Sequence, residues 1–307
     1  MSAHIMTERI QMALEGTRGT AASPMTLEVP FVGEGLVPTV TSHLGEIRGS
    51  AHFPSRTDMV SLGVTRGFSL AVELNKNNIR DIILLATKRT AGVLPSVTVV
   101  RNQHGLGPDR FFGCVCERLR LGFSRGGSPD ASAVLAAQMD FQCMGGAEGA
   151  GAIASLTAAH ANRFPMQRGV FTVSGTGLPI VTSLELVIAN ALALGPPDTD
   201  DKRGYIVDGD EAVEIRLTNY YNTTAAALLT QIEEQSQLTS NSLLFATGTA
   251  DETVTATMGK LKIGSFTRSS AEGAPMCDIT LEPYHTGAAH QIAWTFGSAI
   301  GASVLGL

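Results

Sequence analysis

Apolar and polar positions alternate along most of this chain, and in two places the alternation gives way to a helical spacing. After Phe68, the stretch Leu70-Ala71-Val72-Glu73-Leu74 puts Leu70, Val72 and Leu74 on one face of a strand, because strand side chains alternate with period two. Asn75-Lys76-Asn77-Asn78 then supplies a turn with ready helix N-caps. Ile79, Ile82, Ile83 and Ala86 follow at i, i+3, i+4 and i+7, which is one face of a helix. The same order recurs later: Val213, Ile215 and Leu217 on a strand, Asn219 to Thr224 as turn and cap, then Ala225, Leu228, Leu229 and Ile232 at helical spacing. The two units lie about 145 residues apart, close to half the chain.

The echo continues downstream. Glu117-Arg118-Leu119-Arg120-Leu121-Gly122 and Gly259-Lys260-Leu261-Lys262-Ile263-Gly264 alternate basic and apolar residues in the same phase. A polar turn follows each, Ser124 to Asp130 and Thr267 to Gly273. Another alternating strand comes next, with Leu135, Ala137, Met139, Phe141 and Cys143 on one face in the first case and Cys277, Ile279 and Leu281 in the second. Strand, helix and hairpin in the same order twice predict a duplicated unit. The alternative is chance similarity between two ordinary α+β halves. The predicted class is mainly β with short helices.

In chain order, residues 1–37 read as an extended arm, small and turn-rich from Thr17 to Pro24 and interrupted by Pro30 at Val29-Pro30-Phe31-Val32. Residues 38–145 form the first repeat. Within it Val40 to Gly67 reads as a strand, a long loop and a strand, with Phe53 near the loop tip. The Gly/Ala-rich segment 146–163 reads as a linker, with one or two helical turns at Ile153 to His160. Residues 164–297 form the second repeat, opening with Val170 to Val173 and the strand Thr182 to Ala189 and closing on Ile292 to Phe296, which holds the single tryptophan, Trp294. The tail 298–307 is apolar and is expected to dock on its own domain or on a neighbour. Candidates for contact between subunits are Phe31, Phe53, Trp294, Phe296 and Leu305.

Composition narrows the functional classes. A hydrophobic content of 44% in 307 residues supports two cored units and argues against disorder. The net charge of −6 argues against a general nucleic-acid binder, which needs a basic surface. Only 16% of residues are charged and 33 are glycine, which suits a protein covered by neighbours and equally a loop-rich β protein. Met1 to Glu15 has no apolar run, so no leader is expected, and no stretch reaches the length of a membrane span. Cys114, Cys116, Cys143 and Cys277 have no metal-knuckle spacing and read as reduced, packed side chains made in a reducing compartment.

Catalytic patterns are sparse. Gly149-Ala150-Gly151-Ala152-Ile153-Ala154 fits G-x-G-x-x-A, but the next strand ends in Ser174-Gly175 where a dinucleotide fold needs an acid. The histidines lack metal spacing. The clusters Asp198, Asp200, Asp201 and Asp208, Asp210, Glu211 lack the order of a calcium loop and read as solvated turns. Arg118, Arg120, Lys260 and Lys262 are expected to pair with acids of an adjacent subunit or to cover an apolar face with their stems. No catalytic, cofactor or metal residue is expected, and the chain is not expected to be an enzyme.

The order of features resembles the tail tube proteins of long-tailed, siphovirus-like bacteriophages. The residues that carry the likeness are Gly16-Thr17-Arg18-Gly19-Thr20-Ala21, similar to that family's G-x-x-G-T-A/P opening; the Val40 to Gly67 loop; the strand-then-helix unit after Phe68; Phe112-Gly113-Cys114-Val115 leading into Leu119-Arg120-Leu121; and the strand Ser183 to Asn190. The resemblance implies a β-sandwich or barrel flanked by a helix and assembled into stacked rings, a hollow virion tail tube made in the host bacterial cytoplasm. Members with a doubled fold would close three chains into a pseudo-sixfold ring, six chains being the alternative. Implied partners are further copies, a tape measure protein and a tail terminator, with DNA passing through the lumen unbound. A terminator, a secretion-tube ring or a β-sandwich binding module stays open as a different reading.

Overall fold

The alternation expected at Leu70, Val72 and Leu74 is observed, with Phe68, Leu70, Val72 and Leu74 all buried. The computed structural model describes residues 8–48, 56–103, 107–124, 133–147, 149, 151–156, 161–179, 183–195, 206–233, 238–271, 274–284 and 291–307. The first half contains β1 (Arg9–Leu14), β2 (Leu27–Glu28), β3 (Phe31–Arg48), β4 (Arg56–Glu73), α1 (Ile79–Thr87), β5 (Val97–Gln103), β6 (Gly107–Ser124), β7 (Ala136–Cys143) and β8 (Gly145–Ala147). After a 3-10 turn at Met166–Arg168, the second half contains β9 (Val170–Val173), β10 (Thr176–Pro179), β11 (Ser183–Leu194), β12 (Ile206–Tyr220), α2 (Thr223–Glu233), β13 (Leu238–Ala246), β14 (Thr253–Ala271), β15 (Ala274–Tyr284) and β16 (Ala293–Phe296). Mainly β with short helices is therefore the observed class.

The two halves have one strand order. In the first, neighbours run β3-β4-β7-β6-β5-β1-β2, with β8 also on β6; in the second, β11-β12-β15-β14-β13-β9-β10, with β16 also on β14. Every pairing is antiparallel. The halves are not separate sheets, because β6 pairs with β11 from Arg118–Ala189 to Ser124–Ser183 and makes the ladder continuous. That seam is apolar on its inner side, where Leu119, Leu121 and Phe123 lie opposite Ile188, Leu186 and Leu184, all buried. Burying such a side chain contributes about 1.5–3 kcal/mol. Phe123 also meets Phe245 of the second half, ring centres 5.7 Å apart.

Local chemistry sets the helix starts. Asn75 Oδ1 accepts from Asn77 N–H at 2.9 Å, and Asn78 Oδ1 accepts from Asn75 N–H at 2.9 Å, which knits the turn before α1. Asn222 Oδ1 accepts from Ala225 N–H at 3.0 Å at the start of α2. Only the second is a helix cap in which the short amide side chain satisfies a terminal donor; Asn78, the N-cap of α1, makes no side-chain cap bond.

Several expectations change. The segment read as an arm is woven into the sheet where it is described: β1 lies between β2 and β5, and Ile10 and Met12 are fully buried. Prolines and small residues between short strands hid this, because β1 is only six residues long. The stretch Val40 to Gly67 holds the two expected strands, paired from Leu36–Leu70 to Arg48–Arg56, and residues 49–55, where the loop is expected, lie outside the described residues. Phe53 lies outside the described residues. In the expected linker, 151–156 is neither helix nor strand. It packs on β1, where Gln11 Nε2 donates to Ala154 O at 2.9 Å and Ala154 N–H donates to Gln11 Oε1 at 2.8 Å. Residues 157–160 of the expected helical turns fall outside the described residues.

Candidate functional site

Alternation gives the sheet two faces of different chemistry. One carries the core and both helices. The other is open and lined by small and polar side chains, since in-register positions on neighbouring strands share a face. One row of this face crosses seven strands: Glu73, Ala136, Gly122, Glu185, Arg216, Thr280 and Ser265. The row above it runs Ala71, Gln138, Arg120, Val187 and Glu214. A trough of about 560 Å³ across Ala71, Arg120, Gln138, Glu185 and Arg216 shows that the face is concave.

Its charges are locally balanced. Arg216 reaches Glu214 at 2.6 Å and Glu185 at 3.6 Å, and Lys262 lies 3.9 Å from Glu282. Hydrogen bonding to Glu214 is the main cause that raises the Arg216 guanidinium above its ordinary value. Arg118 stands opposite Asp140, whose carboxylate also accepts from Ser69 Oγ. Asp278 accepts from Thr218 Oγ1 at 2.6 Å. One member of each basic pair, Arg118 and Lys262, thus faces an acid of its own sheet. Exposed pairs of this kind add little stability; their consequence is a surface with no strong field of either sign.

Besides the short end strands β2 and β10, two long strands leave borders of the sheet open among the described residues. β3 is an edge strand whose far side meets no strand among the described residues. β14 pairs with β13 as far as Leu261, and its remaining length to Ala271 has only β15 beside it among the described residues. Val37 and Val40, two of the large exposed hydrophobics, both stand on β3. An exposed apolar strand edge is a template for another strand.

The sequence candidates divide. Phe31 is half-buried. Trp294 and Phe296 are half-buried on β16, where Arg80 stacks 5.2 Å from the Phe296 ring centre. Leu305 is buried in its own chain, because the tail docks on α1: Asp81 Oδ2 accepts from Val304 N–H at 3.0 Å and Oδ1 from Leu305 N–H at 3.3 Å. It is therefore a packing residue of the fold.

Asp208 is not a solvated turn residue either. Its side chain is 3% exposed and holds Arg18, so the Gly16 to Ala21 motif is a structural clasp. Asp198, Asp200 and Asp201 lie outside the described residues. The polar residue that the sequence reading passed over is Glu15, which is buried. Its carboxylate accepts from Gly19 N–H, Ser96 Oγ, Thr98 Oγ1 and Gly113 N–H at 2.7–3.0 Å. All four cysteines are buried free thiols. Among the described residues no group of three or more His, Cys, Asp or Glu is placed to hold a metal ion, and no helix is long and apolar enough to cross a membrane.

A doubled antiparallel sheet with open edges and a polar, charge-balanced concave face defines an assembling structural β protein. The chain belongs to the phage tail tube protein family, whose sequence profile matches residues 7–293. No curated protein matches the chain. Family membership makes it a structural component of a virion tail that assembles with itself into a tube.

Proposed function

We propose that copies of this chain close into rings that stack as the hollow tail tube, and that DNA passes along the bore over the open face described above. The observation that carries this reading is the strand order shared by the two halves and joined at β6–β11. One chain already contains two neighbouring sectors of a ring, so three chains supply six sectors. A bore lined by Ser, Thr, Ala, Gln and neutralised charge pairs lets a polyanion slide, since nothing on it holds or strongly repels phosphate.

The tail is of the siphovirus-like, long-tailed kind in this reading. Assembly takes place in the host cytoplasm, with a tape measure protein in the bore and a terminator at the end. Phe31, Trp294 and Phe296, half-buried in the single chain, are the candidates for contacts between rings.

Negative-stain electron microscopy of the concentrated protein, with end-on views averaged, tests the proposal. Hollow rings with three chains each are expected. Rings of six chains overturn the sector count, and compact monomers at every concentration overturn the ring reading itself.

A further inference from the structure

We propose that each copy joins the next by repeating the seam that already joins its own two halves, so that β14 of one copy pairs with β3 of the next in one fixed register. The proposal rests on the ring reading above and specifies the contact that closes the ring.

The internal seam is a template. β6 gives one edge first to β5, as far as Cys114, and then to β11, from Arg118 to Ser124. β14, its counterpart, gives the matching edge to β13 as far as Leu261. Beyond that point the edge is open among the described residues. β11 has β12 on one side and β6 on the other; its counterpart β3 has β4 on one side and an open edge on the other. These two open borders, on β3 and on the far part of β14, match the two halves of a seam that exists once inside the chain.

The register follows from structural landmarks. Each of β6 and β14 carries a bulge, at Glu117 and at Gly264. Each helix opens with an i+4 hydrogen bond to an asparagine carbonyl, Ile79 N–H to Asn75 O at 3.1 Å and Ala226 N–H to Asn222 O at 2.9 Å. The displacement from Glu117 to Gly264 equals that from Asn75 to Asn222. It also equals that from Phe68 to Ile215, which oppose Phe141 and Leu281, the residues that stand across from the bulges. Pro38 opposes Phe68 as Leu186 opposes Ile215. In the internal seam Leu186 opposes Leu121, Val187 opposes Arg120 and Ile188 opposes Leu119. Transferred to the open borders, Pro38 opposes Arg268, Thr39 opposes Thr267 and Val40 opposes Phe266.

This register was not chosen for its chemistry, yet the chemistry agrees. Thr39 shares the open face with Ser69 through Gly67, and Thr267 shares it with Asp278. Val40 and the half-buried Phe266 meet on the core side. Val40 is 56% exposed in the single chain, and the pairing covers it. A slip of one residue would set Val40 across from a threonine on the wrong face. Pro38 contributes no N–H, which blunts the edge against indiscriminate pairing. Because the two borders differ, the contact is head-to-tail and continues from copy to copy until a ring closes.

Two double variants read the register: Thr39→Cys with Thr267→Cys, and Val40→Cys with Phe266→Cys. Adjacent antiparallel pairs alternate between close and wide spacing, so one of the two suits a disulfide. Tubes are assembled, exposed to oxidised glutathione, which accepts the two electrons as the thiols lose their protons, and run on denaturing non-reducing gels. The expected result is a ladder ending at a closed trimer in at least one double variant and none in the four single variants. Tubes that form normally and stay unlinked in both overturn the register while leaving the ring reading standing. Absence of rings from the wild-type chain removes both.

Val40→Lys provides a second route. It is expected to leave circular dichroism and melting unchanged and to abolish assembly. Assembly of Val40→Lys at the wild-type concentration threshold overturns the proposed edge.

Discussion

Arg18 and Asp208 form a two-pronged ion pair between the segment after β1 and the start of β12. Nη1 meets Oδ1 at 3.2 Å and Nη2 meets Oδ2 at 2.9 Å. The guanidinium also donates to Ile206 O and Leu94 O at 2.8 and 2.7 Å, and Asp208 Oδ2 accepts from Leu94 N–H at 2.8 Å. Removing one partner leaves a desolvated charge alone, so Arg18→Met should cost about 3 kcal/mol. Asp208→Asn should cost a similar amount and the double variant less than the sum, as read from urea unfolding midpoints.

Glu252 gives the acid limb of stability a defined origin. Its carboxylate accepts from Lys76 Nζ at 2.6 Å, Thr247 Oγ1 at 2.6 Å and Asn162 Nδ2 at 2.8 Å. These bonds, that of Lys76 first, bring its pKa from 4.5 down to about 2. A group whose folded pKa is depressed stabilises fully above its unfolded value and loses that contribution as pH falls through the folded value. Stability should therefore decline between about pH 4.5 and about pH 2. Glu252→Gln should melt lower at pH 7 and show a shallower acid decline in a melting series.

The tail holds α1 through Asp81. This carboxylate is fully buried and accepts from Ser303 Oγ as well as from Val304 and Leu305 N–H. Asp81→Ala leaves these donors without an acceptor and should cost about 2–4 kcal/mol. In a chain lacking 299–307 the donors are gone, and the same substitution should cost much less. Thermal unfolding of the four combinations measures that coupling.

Gly113 and Gly92 separate strain from packing. Both have positive φ, +62° and +83°. A methyl group at Gly113 would lie 2.6 Å from Met144 Cβ, while at Gly92 it would meet nothing within 4 Å. Gly92→Ala should cost about 1–2 kcal/mol from backbone strain alone. Gly113→Ala should cost clearly more, because its N–H must also keep its bond to Glu15. Chemical denaturation of the two variants side by side shows the difference.

The thiols should be silent in the folded protein. Burial pushes the Cys114 and Cys116 thiols well up, and raises Cys277 as well. Thiolate is the reactive form. Ellman's reagent should find no fast-reacting thiol in the native chain and all four after denaturation. A fast native reaction would show that β6, β7 or β15 opens locally.

Much of the fold was legible in local sequence. Leu70, Val72 and Leu74, then Ile79, Ile82, Ile83 and Ala86, fall on the faces that their spacing assigns, because period two and period 3.6 are backbone properties. The echo between the halves was legible for the same reason. The strand β1 was not, because its six residues lie among prolines and small residues that read as an arm. The apolar tail is expected to dock on its own domain or on a neighbour; its spacing carries no sign of Asp81, which receives it within its own chain and makes Leu305 a core residue there.

By itself, then, the chain determined most of its strands, its two helices, their order and the inner face of the strands that alternate. Tertiary structure alone decided that β6 meets β11, that Arg18 finds Asp208, that Glu15 gathers four donors and that β3 keeps an open edge among the described residues. Those contacts join residues far apart in sequence. Their register is selected by the fit of whole faces, and a local period is the same whichever strand lies alongside.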